Sequence, residues 1–114
     1  MEECIFCRIA RGEIDSSIVY EDENLLAFND INPQAPMHVL IIPRMHVSSL
    51  LELGADGEQL VGKAHRVAGQ IARERGYDRS GFRVVVNCGE DAGQSVPHLH
   101  FHVLGGRALG WPPG

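Results

Sequence analysis

The sequence has no long hydrophobic run. Its longest uninterrupted apolar stretch covers residues 39–43, which is the length of a strand and far short of the ~18 residues of a membrane-spanning helix. The first residues, MEECIFCRIARGEI, carry charges and cysteines where a secretory signal peptide has an apolar segment. We therefore expect a cytoplasmic protein that does not contact a membrane.

Basic residues are also few. Ten Lys and Arg stand against 15 Asp and Glu, which gives a net charge of −5. No basic stripe is present that could displace counterions, so the composition argues against a nucleic-acid partner bound by bulk electrostatics. A small anionic ligand held by backbone N–H groups remains compatible with this charge.

Cysteine is scarce, with three residues in all, of which two form Cys4-Ile-Phe-Cys7. In a reducing compartment this spacing favours a metal clip or a redox pair over a structural disulfide. A thioredoxin-like role is disfavoured because the chain lacks the βαβ pattern that accompanies it. Two reduced cysteines packed in a short helix are the simple alternative.

The remaining composition is that of a globular protein, with 44% apolar and 22% charged residues in 114 positions. We expect one domain that covers residues 1–114. Branched and aromatic residues between turn signals predict strands. The predicted strands cover residues 17–21, 25–29, 37–42, 82–87 and 99–104.

Helical periodicity is confined to two segments. Residues 4–11 predict a short N-terminal helix, and apolar residues from 60 to 72 repeat with the 3.6-residue period of an amphipathic helix. Asp56 and Gln59 have the spacing of a capping box at its start, and Gly76 is placed to end it. The fold class is therefore α+β, an antiparallel sheet with one main helix packed on one face.

The motif HLHFHV, residues 98–103, is the strongest chemical signal. On a strand, alternate residues share a face, so His98, His100 and His102 would form a row with steps of ~6.6 Å. The apolar residues between them would face the core. On a helix the three rings would fan out over ~200° and could not act together. A solvated histidine face and a three-histidine zinc site are the alternatives.

A glycine-rich loop precedes this motif. Residues 87–97 contain Gly89, Gly93 and Ser95, which permit close backbone approach to an anion and add a hydroxyl donor. Alone, such a loop is often only a turn. Beside a histidine row it indicates a phosphate cradle.

These features together point to covalent phosphorus chemistry. A neutral imidazole is a nucleophile at pH 7 without prior deprotonation. Its attack on phosphorus gives a labile N–P bond that water can cleave, and the other histidines can donate protons. The pattern predicts nucleotidyl or phosphoryl transfer that needs no catalytic metal.

The sequence resembles the histidine triad (HIT) family, in its HINT nucleoside phosphoramidase branch and a zinc-bearing CxxC variant of it. The segments that carry the resemblance are FNDINPQAPMHVLIIPRMH, VVNCGEDAGQSVPHLHFHVLGGR and the terminal WPPG. The resemblance implies a five-stranded antiparallel sheet with one main helix and a short N-terminal helix. It also implies a homodimer in which two protomers form a ten-stranded sheet.

The resemblance implies catalytic roles for four histidines. His100 matches the nucleophile that becomes adenylylated, and His102 matches the residue that contacts the phosphate. The backbone carbonyl of His102 is expected to hold the other ring nitrogen of His100. His38 and His98 match inner histidines that support the triad.

The resemblance also implies a nucleotide pocket. Asp30 matches a carboxylate that hydrogen-bonds the ribose, Ile31 an apolar wall for the purine, and Trp111 a residue that reaches the partner protomer's site. At Gly110 the family often has histidine. The expected substrate-binding residues are Asp30, Ile31, Asn87, Gly93, Gln94, Ser95, His100, His102 and Trp111.

A zinc site is the cofactor that the resemblance implies. Its ligands would be Cys4, Cys7, His46 and His98. Four protein ligands leave no open position, so such a zinc would be structural. It would fix the N-terminus to the sheet and orient His98.

The expected function is hydrolysis of purine nucleoside phosphoramidates and related adenylates to the nucleoside monophosphate. Diadenosine polyphosphate hydrolysis, as in another branch of the family, is one alternative. A nucleotide-binding or scaffold protein with little catalysis is another. The expected partners are an AMP-like purine nucleotide and a second protomer.

Overall fold

The computed structural model describes residues 4–114. Its strands form one sheet in the order β1-β2-β3-β5-β4, and every neighbouring pair is antiparallel. The predicted fold class, with one main and one short helix, is confirmed. The elements are α1 (Ile5–Ala10), β1 (Ile18–Glu21), β2 (Leu25–Asn29), β3 (Met37–Pro43), two 3₁₀ turns (Leu50–Glu52 and Ala55–Gly57), α2 (Glu58–Glu74), β4 (Phe82–Val86) and β5 (Phe101–Gly105).

The main core lies between α2 and one face of the sheet. The predicted apolar stripe of the helix is buried there against alternate residues of β2, β3 and β5. Burial of one such Val or Ile side chain stabilises the fold by about 1.5–3 kcal/mol. Within residues 4–114, neither α-helix combines the length and hydropathy that a bilayer span requires. The buried helix residues are Ala64, Val67, Ala68, Ile71 and Ala72.

The two ends of α2 differ in how well they were predicted. Gly76 ends the helix at φ 86°, and the N–H groups of Gly76 and Tyr77 bond back to the carbonyls of Arg73 and Ala72. The predicted capping box is wrong, because the N-cap is Gly57 and no side chain caps it. The 3₁₀ turn Ala55–Gly57 leads directly into α2, so Asp56 lies one residue before the N-cap position.

A second, smaller core lies on the opposite face of the sheet. Helix α1 covers this face and buries one side chain, Phe6, which is 7% exposed. The same face carries His38 on β3 and His102 on β5, next to its apolar residues. The buried residues of this cluster are Phe6, Leu26, Phe28, Leu40 and Ile42.

Gly106, directly after β5, lies close to Pro36 before β3 and to Tyr77 after α2. It has φ 96°, and a Cβ there would lie 2.8 Å from Pro36 Cβ and 3.0 Å from the Tyr77 hydroxyl oxygen. We expect Gly106→Ala to lower the unfolding free energy by about 2–4 kcal/mol, from backbone strain and overpacking together. Urea denaturation measures this. Gly110→Ala is the control, because nothing lies within 4 Å of a Cβ at that position; equal losses in both variants would contradict the explanation.

Candidate active site and metal cluster

Strands β3 and β5 place two histidines side by side on the face opposite α2. Leu40 pairs with His102 and His38 pairs with Leu104, so His38 and His102 are diagonal neighbours across the two strands. Their Nε2 and Nδ1 atoms are 2.9 Å apart. Cross-strand register therefore builds this half of the site.

The third histidine of the site, His100, lies just before β5. Its Nδ1 is 2.7 Å from the carbonyl oxygen of His98, so this nitrogen carries the proton and donates it. The other ring nitrogen, Nε2, then keeps its lone pair. The neutral ring is therefore in the tautomer that a nucleophile requires.

The prediction that the His102 carbonyl accepts this hydrogen bond is wrong, because the acceptor is the His98 carbonyl. His102 lies in β5, which pairs with β3 on one side and β4 on the other. Its backbone belongs to these ladders. His98 precedes the strand, so its carbonyl is available to the ring of His100.

The predicted start of the last strand at residue 99 is also wrong, since β5 begins at Phe101. The Pro43 carbonyl accepts from His98 Nε2 at 2.8 Å, and the Leu99 N–H donates to the Val47 carbonyl. These two bonds take the place of pairing between β5 and β3 for the residues that precede Phe101. The sidedness is nevertheless as predicted, because the apolar residues of the motif are buried against α2: Leu99, Phe101 and Val103.

The three histidines do not form one row with one task. The ring centroids of His100 and His102 are 5.0 Å apart, but the His98 ring faces the cysteines. His98 Nδ1 is 3.3 Å from Cys4 Sγ and 3.6 Å from Cys7 Sγ. This arrangement contradicts the alternative of a zinc ion shared by all three rings.

The tautomers of His38 and His102 follow from the hydrogen bonds around them. The backbone N–H of Gln34 donates to His38 Nδ1 at 3.0 Å, so the neutral His38 ring carries its proton on Nε2. That proton faces His102 Nδ1. Asp30 Oδ2 is 3.4 Å from His38 Nε2. His102 Nδ1 is then an acceptor, and its Nε2–H is left as a donor.

The same tautomer argues against a metal at this position. The Asp30, His38 and His102 ligand atoms are close enough to hold a cation. A metal on His38 Nε2 would require a proton on Nδ1, where the Gln34 N–H already donates. These three residues are therefore better suited to hydrogen bonding than to metal binding.

Burial keeps the supporting rings neutral. The pKa of His102 is lowered to about 4, mainly by burial and also by the His100 and His38 rings, with a partial offset by the Asp30 carboxylate. Burial also lowers the pKa of His38, partly offset by the Asp30 carboxylate. At neutral pH both rings are uncharged, as the hydrogen-bond chain requires.

These lowered pKa values make stability depend on pH. The unfolded chain protonates histidine below pH ~6.5, whereas folded His102 stays neutral to about 4. The unfolded state therefore binds more protons in this range, and the unfolding free energy falls as the pH drops from 6.5 to 4. One group contributes at most about 1.4 kcal/mol per pH unit. Urea titrations at several pH values should show a shallower fall for His102→Ala, and no change for the exposed control His65→Ala; parallel curves would contradict the assignment.

The predicted phosphate loop is held together by the side chain of Gln94. Its Nε2 donates to the carbonyls of Ser48 and Val96, and its Oε1 accepts from the Gly89 N–H. The backbone N–H groups of Gly93 and Gln94 bond within the loop as well. None of these bonds involves the Ser95 hydroxyl, whose contact with an anion stays a prediction.

The other predicted nucleotide contacts lie in different surroundings. Asp30 Oδ1 accepts the Asn32 N–H in an Asx turn, and Oδ2 faces His38. Ile31 is fully exposed, and Trp111 is 82% exposed. Asn87 directly follows β4 and is partly buried. Their contacts with nucleotide remain predictions.

Two contributors to the site were not predicted from the sequence. Phe6 packs edge-on against His100, with ring centroids 5.2 Å apart, and Gln34 sets the His38 tautomer through its backbone. The position of Phe6 between the two cysteines was the available signal. A backbone donor such as that of Gln34 leaves no signature in residue type.

The four predicted metal ligands converge. Cys4 Sγ, Cys7 Sγ and the Nδ1 atoms of His46 and His98 all lie within 4.8 Å of one another. Three sulfur–nitrogen separations in this cluster are 3.2–3.6 Å: Cys7 to His46, Cys4 to His98 and Cys7 to His98. Zinc bonds of about 2.3 Å to sulfur and 2.0–2.1 Å to nitrogen place tetrahedral ligands about 3.6 Å apart. The donor set and its spacing therefore fit zinc.

His98 is already oriented for such a role. Its Nε2–H donates to the Pro43 carbonyl, which leaves the Nδ1 lone pair facing both thiols. Burial lowers the pKa of His98, partly offset by this hydrogen bond. A neutral ring with a free lone pair is what a metal ligand requires.

A surface cavity lies away from these residues. It has a volume of about 760 Å³ and runs along the first turns of α2, where Leu53, Leu60 and Lys63 line it. None of the predicted site residues contributes to it.

Comparison with known proteins agrees with this geometry. Residues 11–109 match the HIT domain family. The chain is 46% identical over 109 residues to the purine nucleoside phosphoramidase of Escherichia coli K12, with 96% of this chain and 92% of that protein covered. It is 48% identical over 113 residues to an uncharacterized HIT-like protein of Synechococcus elongatus, with 99% and 98% covered.

Solved structures show the same fold. A HIT family hydrolase from Legionella pneumophila superposes with a TM-score of 0.96 at 45% identity, with 98% of this chain and 100% of that chain covered. A histidine triad protein from Clostridium difficile gives a TM-score of 0.91 at 51% identity, with 96% and 97% covered. With the histidine geometry described above, these matches show that the chain belongs to the HIT domain family and is a hydrolase of the histidine triad type.

Proposed function

We propose that the protein hydrolyses purine nucleoside phosphoramidates and related adenylates through a nucleotide bound covalently to His100. The observation that carries this proposal is the 2.7 Å hydrogen bond from His100 Nδ1 to the His98 carbonyl. It leaves the Nε2 lone pair for attack on phosphorus. The similarity to the E. coli phosphoramidase supports the choice of substrate.

The proposed reaction has two steps. His100 Nε2 attacks the α-phosphorus, the P–N bond to the amine breaks, and the amine leaves with a proton from solvent. Water then attacks the same phosphorus, the N–P bond to His100 breaks, and a proton returns to solvent. The His102 Nε2–H donates a hydrogen bond to the phosphoryl oxygens, where charge develops in both steps.

The substrate class is tested by comparing two nucleotides. We expect kcat/KM for an adenosine phosphoramidate to exceed that for a diadenosine polyphosphate by at least about tenfold. The reverse order would favour the diadenosine polyphosphate hydrolase that is the main alternative. Tight AMP binding with negligible turnover of both substrates would instead favour a binding or scaffold protein.

We also propose that two protomers associate. The edge of β4 that faces away from β5 has no strand partner within residues 4–114, and a second copy pairing there would extend the sheet to ten strands. The exposed Trp111 side chain would then reach the partner's site. Sedimentation at micromolar concentration tests this, with a dimer expected and a monomer contradicting it.

Zinc is proposed as a structural ion in the cysteine–histidine cluster. Four protein ligands would fill its coordination sphere, so it would organise the chain and leave the phosphorus chemistry to the histidines. Metal analysis of the purified protein is expected to give about one zinc per chain. A metal-free protein of unchanged thermal stability would contradict this role.

A further inference from the structure

His98 belongs to two sites at once. Its ring nitrogen Nδ1 faces the thiols of Cys4 and Cys7, while its backbone carbonyl holds the Nδ1–H of His100. The same residue is therefore a predicted metal ligand and the acceptor that fixes the tautomer of the proposed nucleophile. A shift of the His98 backbone would therefore move the carbonyl that accepts the His100 Nδ1–H.

Phe6 provides a second connection. It lies in α1 between the two cysteines and is 7% exposed. Its ring packs edge-on against His98 and His100, with centroid distances of 5.9 and 5.2 Å and interplanar angles of 75° and 80°. The position of α1 on the sheet therefore determines the wall against which the His100 ring rests.

The end of α1 that bears the cysteines is attached to the sheet by the cluster and by the buried Phe6 ring. The other end is attached independently, because Arg44 Nη1 donates to the Ala10 carbonyl at 3.1 Å and Arg44 Nε to the Asp22 carbonyl at 2.7 Å. A six-residue helix is too short to be stable without such attachments. Loss of the metal would thus remove one of the two attachments of the first turn of α1, the buried Phe6 ring being the other, and leave the last turn in place.

We propose that a metal ion in the Cys4–Cys7–His46–His98 cluster positions His100 for attack, through the His98 carbonyl and the Phe6 ring, so that the metal and nucleotide sites are energetically coupled. The proposal rests on the proposed covalent function. His98 and Phe6 are positioning residues in this scheme. Because coupling is reciprocal, nucleotide binding must also perturb the metal site.

Cys4→Ser separates metal binding from helix capping. The Cys4 thiol caps α1 by accepting the Cys7 N–H at 3.4 Å, and serine is a preferred N-cap residue that keeps this function. We expect the single-turnover rate of His100 nucleotidylation to fall by about 10–100-fold, since a small misplacement of a reacting group has effects of this size. The Kd for AMP should rise as well, by about fivefold or more, because reciprocal coupling requires that metal loss weakens nucleotide binding. Cys88→Ser removes a thiol outside the cluster and should change neither quantity.

Cobalt substitution gives a readout that does not depend on turnover. Co²⁺ bound by two thiolates and two imidazoles absorbs visible light, and the absorption reports the ligand geometry. We expect AMP to shift this absorption in the cobalt-loaded wild type and in Cys88→Ser, with saturation at the Kd for AMP. Phe6→Leu should keep the cobalt absorption, but with a smaller AMP-induced shift and a slower nucleotidylation rate.

Three results would overturn the coupling: protein that binds neither zinc nor cobalt, a cobalt spectrum that AMP leaves unchanged, or a Cys4→Ser variant with lower thermal stability and an unchanged nucleotidylation rate. Failure of the proposed function has a different signature. In that case no form of the protein becomes nucleotidylated, while the AMP titration of the cobalt-loaded protein still decides whether the two sites are coupled.

Discussion

Replacing His100 with alanine is expected to lower kcat/KM for an adenosine phosphoramidate by roughly 10³–10⁶-fold, the range seen when a covalent nucleophile is removed. The structural reason is specific to this ring. His100 is 4% exposed, and the His98 carbonyl holds its Nδ1–H, so its Nε2 is the nitrogen set for attack. Steady-state release of AMP, followed by chromatography, measures the loss.

The control for this variant is His65→Ala, which removes an exposed imidazole from α2. Its Nδ1 is 2.8 Å from the Val61 carbonyl of the same helix, and it lies outside the proposed machinery. We expect its kcat/KM to stay within about twofold of wild type. Equal rates for His100→Ala and wild type would show that the nucleophile is assigned wrongly.

Replacing His102 with alanine is expected to lower kcat by about 10²–10³-fold, the effect of removing one donor that stabilises developing charge. His102 is placed as a donor by the chain of hydrogen bonds from the Gln34 N–H through His38. Unlike His100→Ala, this variant should still form the nucleotidyl enzyme, only slowly. Single-turnover kinetics distinguish the two.

The tautomer chain itself can be tested at His38. Glutamine there can accept the Gln34 N–H and donate to His102, whereas leucine can do neither. His38→Gln should therefore retain considerably more activity than His38→Leu. Equal losses in both variants, or a His102→Ala rate within about threefold of wild type, would contradict the donor role of His102.

Much of the fold was predictable because local patterns decided it. The stripe of α2 and the alternation of residues 98–103 each fixed which side chains face the core, and both were confirmed. The start of α2 was mispredicted because a 3₁₀ turn, which has no comparable signature, shifts the N-cap to Gly57. Local sequence patterns thus predict which face of a helix or strand is buried better than they predict where that element begins or ends.

The site divides in the same way. The metal ligands were predicted from a resemblance, and the structure brings all four together. The acceptor for His100 was mispredicted because it depends on which backbone carbonyls the sheet leaves available, a property of the strand pairing around β5. The His38 tautomer likewise depends on a backbone N–H from the loop before β3. Residue identity shows that an imidazole is present, and the surrounding fold determines which nitrogen carries the proton.

Covalent attachment of the nucleotide to His100 is the step on which the proposed reaction depends. Intact mass spectrometry after rapid quench with an adenosine phosphoramidate tests it most directly, with peptide mapping to locate the adduct. A mass increase of one adenylyl group is expected in the wild type, located on His100 and absent from His100→Ala. Multiple turnovers without any adduct on the quench timescale, or an adduct on another residue, would contradict it.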